Sequence, residues 1–103
     1  MNILAGQVQI ADEVIAAIAS AAALEAEGVA GMASNFRRKK QNKGVAVRVE
    51  DGKVRISVDI SVVSGVKIQS VASDVQQKVK TAIETMTGYT AVEVNVNVTG
   101  LVA

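Results

Sequence analysis

Residues 45–62 read VAVRVEDGKVRISVDISV, and this stretch decides the fold. Val45, Val47 and Val49 alternate with Ala46, Arg48 and Glu50. After Asp51-Gly52, Val54, Ile56, Val58, Ile60 and Val62 alternate with Arg55, Ser57, Asp59 and Ser61. A period of two places each apolar set on one face of a strand. Asp-Gly between two such runs predicts a tight hairpin, because both residues tolerate the positive φ that the turn requires. The opposite face, with Arg48, Glu50, Lys53, Arg55, Ser57, Asp59 and Ser61, is polar enough to meet water. The sheet is therefore expected to be covered on one side only.

Working outward, residues 66–88, VKIQSVASDVQQKVKTAIETMTG, predict a helix. Ile68, Val71, Ala72, Val75, Val79, Ile83 and Met86 keep an apolar spacing of three and four, and Gly88 is the expected stop. Residues 91–100, AVEVNVNVTG, set Val92, Val94, Val96 and Val98 against Glu93, Asn95, Asn97 and Thr99 and predict a closing strand. The helix between the strands should be a right-handed crossover joining a parallel pair. Toward the N-terminus, GQVQI (residues 6–10) alternates as a short strand, and residues 11–28, ADEVIAAIASAAALEAEG, predict a helix. Its expected core stripe is Val14, Ile15, Ile18, Ala22 and Leu24, with Asp12 and Glu13 in the first turn, where the helix dipole favours negative charge. Residues 28–44 show no sustained period and read as a connection with a short strand around Val29. The sum is β-α-(β)-β-β-α-β, an α/β (α+β) two-layer sandwich: one domain over residues 1–103, a mixed sheet, and both helices on one face.

Composition narrows the function. The chain has no His, no Cys, no Trp, one Phe and one Tyr. The commonest general bases, thiol nucleophiles and soft metal ligands are missing, so the expectation is no enzyme, no cofactor and no metal site. The glycines form neither a phosphate-binding loop nor a dinucleotide fingerprint. Gly28 to Gly31, GVAG, matches the spacing of the KH backbone clamp, but Val29 and Ala30 are the wrong middle residues for it. The longest apolar run, Val14 to Leu24, is too short to span a bilayer. The N-terminus has no basic region leading into an apolar core, so it does not read as a secretory signal.

One stretch stands apart. Arg37, Arg38, Lys39, Lys40 and Lys43 fall within residues 33–43 without an intervening acid, in a chain whose net charge is only +1. They read as a flexible basic loop and as the candidate contact for a partner or an anion. With so few aromatic rings to stack bases, a nucleic-acid module using this loop is the alternative rather than the first reading. The closing strand has neither Lys nor Pro to blunt it, which makes a self-assembling homo-oligomer a further alternative if it lies at a sheet edge.

GQVQIADEVIAAIASAAALEAEGVAGM (residues 6–32), KGVAVRVEDGKVRISVDISVVSGVKIQSVASDVQQKVKTAIETMTG (residues 43–88) and VEVNVNVTG (residues 92–100), in this order and spacing, resemble the alkaline-shock protein family, the general-stress or envelope stress response family of Gram-positive-type bacteria. The resemblance runs over nearly the whole chain. It implies a non-enzymatic cytoplasmic scaffold or adaptor in cell-envelope homeostasis and in alkaline or general stress. Such a protein sits at the membrane periphery through a membrane-anchored protein partner and neither inserts into the bilayer nor takes a small-molecule substrate. Family members often carry an aromatic residue before the glycine at Gly65, where this chain has Ser64, and many carry charged extensions past the segment that here reads TGLVA.

Overall fold

The structure is a computed structural model that describes residues 9–32 and 44–103. Its elements are α1 (Asp12–Leu24), β1 (Val29–Met32), β2 (Val45–Glu50), β3 (Lys53–Val63), α2 (Ile68–Thr87) and β4 (Thr90–Val102). The expected sandwich is present, with a mixed sheet. The hairpin forms as read: Asp51 has φ 51° and Gly52 φ 74°, and Glu50 faces Lys53 across the turn.

β3 organises the sheet. Along one edge it pairs antiparallel with β2 through residues 53–58 and with β1 through Ile60 to Val62. Along the other it pairs with β4 over its whole length, in parallel. β1 and β2 thus lie end to end, and β4 forms the opposite edge. β3–α2–β4 is the expected crossover between parallel strands.

The core lies between the helix layer and one sheet face. Val54, Ile56, Val58, Ile60 and Val62 of β3 are buried there, against Val71, Val75, Val79 and Ile83 of α2. The four α2 positions recur every four residues, so a single stripe is buried. Among the described residues no polar or charged side chain is buried. α2 ends at Gly88, whose φ of 79° and whose amide N–H donating a hydrogen bond to the Glu84 carbonyl make the expected left-handed cap.

Four expectations need correction. α1 buries Ile15 and Ala22 of its expected stripe, with Ile18 partly buried against the core, but not Val14 or Leu24. Ile15, Ala16, Ala19, Ala22, Ala23 and Ala26 face the core, while Val14 and Leu24 are each 49% exposed. Small side chains let this helix approach the sheet closely, so the alanine face turns inward. In α2, Ile68 and Met86 are likewise exposed, Met86 to 69%, because they fall beyond the ends of the buried stripe. In β4, Val92 does not share a face with Val94. Ala91 lies opposite Val54 and Glu93 opposite Arg55, so Val92 is an extra residue and is exposed; Thr99 is a second, between Val98 and Gly100. Gln9 and Ile10 belong to no strand, and the rest of the N-terminal run read as a strand lies outside the described residues.

Candidate functional site

The two helices run antiparallel, because Gly28, just past the end of α1, meets Val71 near the start of α2; Val14 and Met86 therefore lie toward one end, and Glu25 and Asp74 toward the other. Their closeness at the second end depends on Gly28. A Cβ there would stand 2.7 Å from Val71 Cγ2, and the backbone has φ 96°. Gly28 also ties this turn to the sheet, because its carbonyl accepts a hydrogen bond from Val63 N at 2.8 Å.

Because α1 turns its alanines inward and α2 buries one stripe, the outer sides of the helices leave a shallow trough between them. Its volume is about 800 Å³, and Val14, Ala17, Ile18, Ala21, Ala82 and Met86 supply most of its apolar wall. Lys78, Gln77, Thr81 and Thr85 line the α2 side. Large half-exposed apolar side chains around a groove make it the candidate interaction surface of the described residues. The sequence carried a signal for it. α1 is apolar nearly all round, more than a helix with one covered face needs.

The other sheet face is polar and internally bonded. Arg55 Nη1 donates to Glu93 Oε1 at 3.0 Å and Asn95 Nδ2 to Glu93 Oε2 at 2.6 Å. Asn97 Nδ2 donates to Ser57 Oγ at 3.1 Å and to Asp59 Oδ1 at 2.8 Å. Asp59 lies opposite Asn97, and Glu93 pairs with Arg55. These carboxylates form cross-strand pairs and not an acid–base couple. Among the described residues no cluster of acidic side chains could hold a metal ion, and no helix is long and apolar enough to cross a membrane. Arg37, Arg38, Lys39, Lys40 and Lys43 lie outside the described residues. The GVAG phrase spans Gly28 and the start of β1, and β1 pairs with β3. It is thus strand and turn, not a clamp between two helices.

Glu84 joins α2 to the start of β4. Its Oε1 accepts from Lys80 Nζ at 2.9 Å and its Oε2 from the Ala91 amide at 3.0 Å. The Lys80 hydrogen bond, then that of the Ala91 amide, hold its carboxyl below the ordinary glutamate value of 4.5. A lowered folded-state pKa stabilises the fold above the unfolded value and is lost as pH falls through the folded one. The stability advantage of the wild type over Glu84→Gln should therefore shrink as pH is lowered below 4.5. Glu93, held low by Asn95 and Arg55, is common to both proteins and cancels. Thermal melts in a pH series check this; an advantage constant across that range would refute it.

Comparison with known proteins agrees with this architecture. The structure resembles a solved variant of the MamM CTD with a TM-score of 0.59, covering 87% of this chain and 98% of that one; at 14% identity this is a likeness of fold alone. In sequence, the chain is 37% identical to the uncharacterized protein YloU of Bacillus subtilis, over 93% of this chain and 88% of that protein. It is 39% identical to the uncharacterized protein Spy1614 of Streptococcus pyogenes, over 95% and 89%. Residues 1–103 match the model of the ASP23 family, described as having a cell envelope-related function, in line with the alkaline-shock resemblance of the sequence, and the chain belongs to that family.

Proposed function

We propose that this protein is a non-enzymatic scaffold or adaptor in cell-envelope homeostasis and the alkaline or general stress response. It acts in the cytoplasm, at the membrane periphery, by contact with a membrane-anchored protein partner. The observation that carries this reading is the trough between α1 and α2, with Val14, Ile18 and Met86 along it. Its occupant is an amphipathic helix of that partner, since an apolar channel between two helices accepts a third by its i, i+3, i+4 stripe. Glu25 and Asp74 make one end of the trough acidic. The partner helix is therefore expected to present Lys or Arg there, beyond its apolar stripe.

Met86→Glu sets a carboxylate on the apolar wall without touching the buried core. Replacing an apolar anchor by a charge costs about 2 kcal/mol or more in binding, over tenfold in affinity. Membranes isolated from cells should retain the wild type, lose it after protease treatment, and retain far less of the variant, with the helical circular dichroism unchanged. Equal retention of Met86→Glu, or equal binding of the wild type to protein-free vesicles, would overturn the reading.

A further inference from the structure

β4 has an outer edge, because among the described residues it pairs with β3 alone. The backbone direction along it can be followed. The Thr90 amide donates to the Gly52 carbonyl, and the Val102 carbonyl accepts from the Ser64 amide, so these two residues face inward. The Ala91 amide and the Val94 carbonyl are met by side chains of α2 instead, Glu84 Oε2 at 3.0 Å and Gln76 Nε2 at 3.1 Å. These groups point outward. Alternation from Val94 then turns the amides and carbonyls of Val96 and Val98 outward too.

The extra residues at Val92 and Thr99 limit the regular edge to Glu93–Val98. Its outward residues are Val94, Val96 and Val98, and the middle one is Val96. We infer that this edge is a homotypic docking strand, on which a second copy of the chain adds its own β4 antiparallel about a two-fold axis at Val96. In that register Val96 meets Val96 of the second copy, and Val94 meets Val98. All three outward residues find partners at once; the Val94 carbonyl can keep Gln76 on its second lone pair. On the polar face Asn95 meets Asn97, and Glu93 falls beyond the last regular pair, beside the extra residue Thr99, so no carboxylate stands opposite another. No Lys, Arg or Pro occurs between residues 90 and 102 to blunt the edge. Lys80, on α2 beside this edge, is already paired with Glu84 at 2.9 Å, so the flank brings no unbalanced charge from that pair. The trough between the helices takes no part, so this pairing is independent of the adaptor reading.

The chain contains no cysteine, which permits a test of register. Asn95 and Asn97 of two copies form a non-hydrogen-bonded pair with Cα atoms about 4.5 Å apart, within the roughly 4.4–6.8 Å that a disulfide spans. Asn95→Cys and Asn97→Cys proteins, mixed under mild oxidation, should cross-link to each other far faster than either does to itself. The wild type should rise from the 10.7 kDa monomer toward twice that mass as concentration increases, by sedimentation. Asn95→Lys/Asn97→Lys, which sets lysine against lysine, should stay monomeric with the same circular dichroism. A wild type that remains monomeric throughout, a doubly substituted protein that dimerises like wild type, or self-linking as fast as cross-linking would overturn the inference. Retention on membranes, read in parallel, should be unaffected by the lysine pair if the trough alone binds the partner.

Discussion

Ile60→Ala is expected to destabilise the domain by about 2–5 kcal/mol. Ile60 is fully buried on β3, with Met32 of β1 beside it on one edge and Val98 of β4 on the other. Truncation leaves a cavity between the helix layer and the strand that every other strand pairs with, where collapse would have to bend three strands together. On a domain of this size each 1 kcal/mol moves the melting midpoint by about 4–8 °C, so a fall of roughly 8–40 °C should be seen. Gln69→Ala, on the exposed side of α2, should stay within about 0.5 kcal/mol. Denaturant melts of the two variants decide the point. A small effect at Ile60 would mean that β3 is not the centre of the sheet.

The second large effect is expected at Gly28. Alanine there adopts a φ near 96° and brings its Cβ to 2.7 Å from Val71 Cγ2. Backbone strain and overpacking together should cost about 2–4 kcal/mol. The two causes can be separated. Gly52→Ala meets a positive φ of 74° with nothing within 4 Å, and it should cost only about 1–2 kcal/mol. Val71→Ala should remove the collision, so the double variant Gly28→Ala/Val71→Ala is expected to be less destabilised than the sum of its parts. Simple additivity would show that the turn relaxes away from α2. That result would bear on function, because the approach of α1 to α2 at this turn sets the width of the trough.

What could be read from the sequence depended on how local its cause was. The β2–β3 hairpin was fully legible, since Asp51-Gly52 and the flanking alternation are local signals that tertiary contacts reinforce. α2 was legible for the same reason, with one apolar stripe and a glycine cap. The orientation of α1 was not. Val14, Ile15, Ala16, Ala17, Ile18 and Ala19 offer apolar surface on almost every side, so hydropathy cannot choose the inward face. Packing distance chooses it, keeping Ile15 inward as expected and setting Ala16, Ala19 and Ala23 beside it. The trough is a consequence of that choice and was hidden with it. Likewise the run from Val92 to Val98 alternates without a break, and only pairing with β3 shows that Val92 is an extra residue. Family membership was legible from the order of the phrases, whereas the basic residues Arg37, Arg38, Lys39, Lys40 and Lys43 announce charge and nothing about its use.

The claim that the protein works through its helix layer is tested most directly by photo-cross-linking inside cells. A photoreactive amino acid is placed in the trough at Thr85 or Ala21 and, as a control, on the polar sheet face at Arg48, which is exposed, lies opposite Arg55 and does not line the trough. The adaptor role predicts an adduct from the trough positions to an apolar helical stripe of one membrane-anchored protein, lost when Met86→Glu is added, with no such adduct from Arg48. Adducts from Arg48 that survive Met86→Glu, together with none from Thr85 or Ala21, would contradict it.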